Sequence, residues 1–267
     1  MINWKLDLRL IALIELFIAT LMGVPTIIAA VLGEREALIG FGVTYLAVVI
    51  FCAAILIATM KPESKNFYAR DGFFVVTLTW VVATAFSALP LYVSGSLPDY
   101  SSAYFEIMSG FTTTGATTLS EIETLPRSIL FWRSQTNWLG GMGIVVLFVA
   151  LLPALGVTGT MLVGAESVGP TKDKLTPKIK TTALWLWSIY VGFSVVQTLL
   201  LFFGGLSLYD AVTVTFSTMS TAGFTTKNSS IAGFGSAYVD IVVTVFMAIG
   251  GINFALYWRL FVGKAKN

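Results

Sequence analysis

Histidine is absent from this 267-residue chain, and cysteine occurs once, at Cys52. The missing imidazole excludes His-based acid–base catalysis, a Ser-His-Asp triad and histidine ligation of a metal or haem. A single thiol inside an apolar run forms no intrachain disulfide and is expected to pack as a small hydrophobe. Charge is scarce as well: 11% of residues are Asp, Glu, Lys or Arg, where a soluble domain carries about 25%. With 56% hydrophobic residues and a mean hydropathy of +0.85, the composition is that of an integral membrane protein. No Gly-x-Ser-x-Gly elbow or metal-ligand cluster occurs. Tyr209-Asp210 has the dipeptide of aspartyl intramembrane proteases, but no GxGD motif follows it, and Asp210 reads better as a helix cap. The chain is not expected to be an enzyme.

Six apolar segments, 11–32, 37–60, 72–93, 135–155, 182–203 and 239–262, stand out. Each has about the 20 residues that a helical span requires. Lys5 and Arg9 precede the first as in a signal peptide, but the run exceeds a signal h-region and is read as a retained span. Pro25 and the pair Gly250 and Gly251 are expected kinks. Gly140, Gly141 and Gly143 give the fourth segment a small-residue face for close helix contact.

Two polar stretches between the spans repeat. Residues 111–119 read FTTTGATTL and 219–226 read MSTAGFTT. A shift of 108 places Ser109, Thr113, Gly115, Thr117 and Thr118 on Ser217, Thr221, Gly223, Thr225 and Thr226, an internal repeat of architectural kind. Each stretch follows a helical segment of about 12 residues, roughly 18 Å long, too short to span. The first, 100–111, follows Asp99 as an N-cap; the second, 208–219, follows Ser207, with Asp210 three positions on in a capping-box pattern. The negative end of each half-helix points at its loop and favours a cation there. A Thr-rich loop centred on glycine suits a cation filter of carbonyls and hydroxyls; the other reading is a pair of polar re-entrant turns that hold no ion. The expected fold is an all-α membrane protein with six transmembrane helices, two re-entrant pore half-helices and two filter loops. Its parts are a helix pair (1–64), a first span–loop–span repeat (65–164) and a second (165–267).

Twelve of the sixteen Lys and Arg residues fall on one side of this topology, Lys61, Lys65, Lys172 and Lys174 among them; Arg35, Arg127, Arg133 and Lys227 fall on the other. The positive-inside rule then puts both termini in the cytoplasm and both loops on the outer side. Glu121 and Glu123 read as a solvated loop, or as charges that gather cations at a mouth. Glu15 is an intramembrane carboxylate that is either functional or snorkels to the interface. Asp240 is an ordinary helix-start carboxylate. The basic loop over 163–180 fixes topology or docks a partner or anionic lipid.

The run RSQTNWLGGMGIVVLFVALLPALG (Arg133 to Gly156), the following AESVGPTKDKLTPKIKTTA and the two glycine loops resemble the Trk/Ktr/HKT superfamily of potassium transporters, on the side of the bacterial Trk membrane subunit. The resemblance covers nearly the whole chain. It implies K⁺ uptake across a bacterial inner membrane by a multi-pass protein whose pore is lined by four such repeats. The ion would be held by main-chain carbonyls of Thr112, Thr113, Thr114 and Gly115, and of Ser220, Thr221, Ala222 and Gly223. It also implies a cytoplasmic nucleotide-binding partner of RCK type, a membrane-lipid environment, dimers and no nucleic acid. The superfamily has four repeats; two are present here, without the gate loop of the third or the pore-facing arginine of the fourth. The expectation is a homodimer or a complementary second half that completes the pore. The alternative is a non-conducting truncated or split half.

Overall fold

A computed structural model describes residues 3–60, 69–143, 179–254 and 256–257. Among the described residues, regular structure is helical throughout. The α-helices are α1 (Trp4–Leu21), α2 (Gly23–Leu32), α3 (Arg35–Ala58), α4 (Ala69–Ser87), α5 (Leu89–Val93), α6 (Tyr100–Phe111), α7 (Arg127–Gly141), α8 (Ile179–Phe203), α9 (Leu208–Met219) and α10 (Ala237–Gly251). Four stretches are long and apolar enough to cross a membrane: Trp4–Leu32, Arg35–Ala58, Arg70–Val93 and Leu184–Phe203. They fall on four of the six expected spans. The other two expected spans are described in part, by α7 and by the shorter apolar α10. Their far ends lie outside the described residues, as do Lys61, Lys65, Lys172, Lys174 and most of the basic loop over 163–180.

The helix of the first span is interrupted three residues before Pro25. Proline has no N–H to return to the preceding turn. The helix breaks at Met22, whose own N–H is shared between the carbonyls of Ile18 and Ala19 at 3.1 Å each, and resumes as α2.

The chain forms two compact units. One holds the described residues up to Met108, with Pro126–Ile129, Gly143 and the start of α8; the other holds Ser109–Leu125, Leu130–Met142 and the described residues from Leu184 onward. In the first unit α1 packs on α3 and α4, and α3 packs on α5. Gly40 permits the last contact, since a Cβ there would lie 2.8 Å from the Pro90 carbonyl oxygen. Cys52 packs beside Ala12, Ala19 and Val48, and its thiol donates to the Ala12 carbonyl at 3.3 Å. Glu15 does not snorkel. It is 1% exposed, because its face of α1 turns toward the neighbouring helices rather than along the helix to an interface. The Glu34 carboxylate caps α7, accepting the N–H of Arg127 at 2.7 Å and of Ser128 at 3.0 Å, and the Ser128 hydroxyl. It satisfies orphan donors and meets the positive end of the helix dipole.

Candidate functional site

Both half-helices have the expected bounds, and their caps mirror each other. In α6 the Asp99 carboxylate accepts the Ser102 N–H at 2.8 Å and the Ser102 hydroxyl at 2.8 Å. In α9 the Ser207 hydroxyl accepts the Asp210 N–H at 3.1 Å and donates to its carboxylate at 2.6 Å. The acid and the hydroxyl have exchanged places; the reciprocal cap is the same. Hydrogen bonds from the Ser101 hydroxyl and from Ser102 hold the Asp99 carboxyl below its ordinary value.

The C-terminal ends repeat as closely. Thr113 N–H donates to Gly110 at 3.0 Å and Thr114 N–H to Ser109 at 2.9 Å; Thr221 N–H donates to Thr218 at 3.0 Å and Ala222 N–H to Ser217 at 3.1 Å. This crossed pair is the Schellman stop, whose left-handed position normally holds glycine. Here threonine occupies it in both loops, with φ of +54° at Thr113 and +56° at Thr221. A β-branched residue in that region is an outlier. Such strain costs about 1–3 kcal/mol and tends to collect at functional sites. Replacing Thr221 by glycine is therefore expected to raise the thermal unfolding midpoint in detergent, by the equivalent of about 1 kcal/mol. A lowered midpoint would show that the threonine side chain stabilises the loop by more than its backbone strains it.

Two residues past each threonine, Gly115 (φ +72°) and Gly223 (φ +117°) carry the chain out of the turn. The loops meet there: a methyl group on Gly115 would lie 2.1 Å from the carbonyl oxygen of Ala222. Thr112 and Thr114 are exposed, with their hydroxyls 2.9 Å apart. Thr221 and Gly223 are exposed, Thr113, Gly115 and Ala222 are half-buried, and Ser220 is buried with its hydroxyl donating to Ser217 at 3.1 Å. The structure thus brings Thr112–Gly115 and Ser220–Gly223 side by side. The loop exits are tied down: the Ser109 hydroxyl holds the Ala116 carbonyl at 2.6 Å, and the Thr226 hydroxyl donates to Asp210 at 3.0 Å.

Several supporting residues are not legible in the sequence. The middle of α7 is polar yet buried: Arg133, Ser134, Gln135, Thr136 and Asn137 are all 5% exposed or less. Thr136 fills the space that a Cβ on Gly110 would need, and the Asn137 amide donates to the Ser217 hydroxyl at 3.3 Å. Gly140 faces the end of α6, where a Cβ would sit 2.0 Å from the Phe111 carbonyl oxygen, and Gly250 faces the end of α9, where it would sit 3.0 Å from that of Met219. Gly140 and Gly141 therefore form part of the expected small-residue face, and Gly250 belongs to the same device; Gly143 does not, since α7 ends at Gly141 and Gly143 has φ +60°.

Glu121 and Glu123 are exposed, as a solvated loop requires, but they are also tied to the second loop. Asn228 binds both, donating its amide to Glu121 at 3.2 Å and its N–H to Glu123 at 3.2 Å, while its own amide oxygen accepts the Ile122 N–H at 2.7 Å. Lys227 adds an ion pair to Glu123 at 3.6 Å. The cluster clasps the tail of one loop to the tail of the other.

Membrane-length apolar helices, interleaved with short capped helices that end in glycine-centred loops, define an all-helical, multi-pass membrane protein. Residues 42–267 match the TrkH family of cation transport proteins, and the chain belongs to that family. It is 38% identical over 265 residues to the Trk system potassium uptake protein TrkH of Escherichia coli K12, covering 96% of this chain and 53% of that protein. It is 35% identical over 237 residues to TrkG of the same organism, covering 88% of this chain and 48% of that protein. The crystal structure of the potassium transporter TrkH from Vibrio parahaemolyticus superposes with a TM-score of 0.80 at 30% identity, over 98% of this chain and 53% of that one. The chain spans about half the length of the curated relatives it matches.

Proposed function

We propose that this chain supplies two of the strands of a K⁺ filter in a bacterial inner membrane, Thr112–Gly115 and Ser220–Gly223, with main-chain carbonyls replacing the ion's water. The supporting observation is the doubled turn: two half-helices, 108 residues apart, each ending in a left-handed threonine followed by a left-handed glycine. The helix ends bring partial negative charge to the loops. The potassium named for the relatives supplies the ion. The other strands come from further repeats of the same type, in a second copy or a complementary half. An RCK-type nucleotide-binding subunit is the cytoplasmic partner that the family resemblance suggests.

Purified protein in lipid nanodiscs should be stabilised against heat by K⁺ more than by Na⁺, and liposomes containing it should take up K⁺. Gly115→Ser with Gly223→Ser should abolish the discrimination. Equal protection by both ions together with no flux would replace this reading with that of a non-conducting half.

A further inference from the structure

Arg133 is counted by its position in the sequence as an outer, topology-setting charge, yet it is 1% exposed. A guanidinium is withdrawn from water only where it gains strong partners, because its desolvation is costly. Its central carbon lies over the Phe224 ring, 3.9 Å from the ring centroid, well inside the range of a cation–π contact. Its Nη2 also donates to the Thr117 hydroxyl at 3.4 Å. Phe224 directly follows Gly223, and Thr117 stands two residues after Gly115. One side chain thus reaches the exits of both loops. In the helix that follows each loop the matching glycines, Gly140 and Gly250, are 110 residues apart, which puts Val243 at the equivalent place in the second repeat, so the contact is not a general property of the repeat.

We propose that Arg133 is a positioning residue that locks the two loops at one separation and so sets how selectively they hold their ion. The proposal rests on the reading of the loops as a K⁺ filter. The clasp at Asn228 joins the loop tails further along the chain, while Arg133 acts beside the glycines. Lysine cannot replace it, since an ammonium group is a compact point charge without the spread of donors that lets one group lie over the ring and also reach Thr117. The fixed positive charge also raises the local potential, so a rigid set of carbonyls has to offset it before a cation is held.

The test uses the full chain in lipid nanodiscs, comparing the unsubstituted protein with Arg133→Met, Arg133→Lys and Phe224→Leu. Two measurements are made: backbone hydrogen exchange over 112–117 and 221–226, and the K⁺ and Na⁺ concentrations that give half-maximal thermal protection. Arg133→Met should speed exchange in both loops and shift the K⁺ midpoint by about tenfold, with a smaller shift for Na⁺. Arg133→Lys should rescue little of either effect. Phe224→Leu, which keeps the Thr117 bond, should loosen the second loop alone. It also serves if Arg133→Met does not fold. Unchanged exchange in both loops, or a uniform rise over the whole chain, would overturn the proposal. If the unsubstituted protein shows no preference for K⁺, the filter reading fails by itself, and the exchange pattern alone decides whether Arg133 locks the loops.

Discussion

Gly115→Ala is expected to be the more damaging of the two loop-glycine substitutions. Two costs add at this position. A residue with a Cβ loses about 1–2 kcal/mol in the left-handed region, and Gly115 has φ +72°. The new methyl group would also sit 2.1 Å from the Ala222 carbonyl oxygen and 2.8 Å from its carbon. These are backbone atoms of the facing loop and cannot rotate away, so the loops must part, at an overpacking cost of about 1–3 kcal/mol. Gly223 has φ +117°, but no described atom lies within 4 Å of the place its Cβ would take, so Gly223→Ala bears the backbone cost alone. Thermal unfolding in detergent should rank Gly115→Ala below Gly223→Ala by roughly 2 kcal/mol, and only Gly115→Ala should widen the gap between the loops. A reversed ranking would mean that the loops do not touch at Gly115.

The second large effect is expected at Gly140. A Cβ there would lie 2.0 Å from the Phe111 carbonyl oxygen and 2.7 Å from its carbon. Both sides of this contact are backbone, so α7 has to move off the end of α6. Gly140→Ala should cost about 3 kcal/mol, the upper end of overpacking penalties. Gly250→Ala meets the Met219 carbonyl at 3.0 Å and should cost less, about 1 kcal/mol. Gly192 in α8 has no described atom within 4 Å of the same position. Gly192→Ala should gain the helix propensity of alanine, about 0.5–1 kcal/mol. Unfolding midpoints of the three variants check the order, and a Gly140→Ala protein as stable as Gly192→Ala would refute the contact.

What is legible in the sequence is what local chemistry decides. The bounds of α6 and α9 follow from Asp99 and Ser207 at one end and the Thr–Gly runs at the other. The four long apolar helices follow from run length, and the interruption before Pro25 follows from a missing N–H. Tertiary contacts leave no such mark. Hydropathy starts the fourth span at Gln135, whereas α7 begins at Arg127, because its polar residues are buried by protein contacts. The cap on α7 comes from Glu34, 93 residues away from Arg127, beyond any local capping pattern. The burial of Arg133 and Glu15 is not legible for one reason: it depends on distant parts of the chain, the two loops for Arg133 and the neighbouring helices for Glu15. The helix does stop at Gly251, before an extended Ile252, but the contact of Gly250 with the Met219 carbonyl is distant in the chain and leaves no mark.

The two glycines at the end of α7 differ in what they touch, and the difference has a direction. Gly140 rests on Phe111 of its own repeat, while a Cβ on Gly141 would lie 2.7 Å from the Ser220 Cα of the next. Gly250 again rests on its own repeat, at Met219, and Gly251 has no described atom within 4 Å of its Cβ position. At this junction the contact runs from the first repeat to the second, as tail to head. Surfaces joined in this way are heterologous rather than self-complementary. A side chain added at Gly141 would therefore push the second loop away from the first repeat, whereas one added at Gly140 would push a helix off the loop of its own repeat.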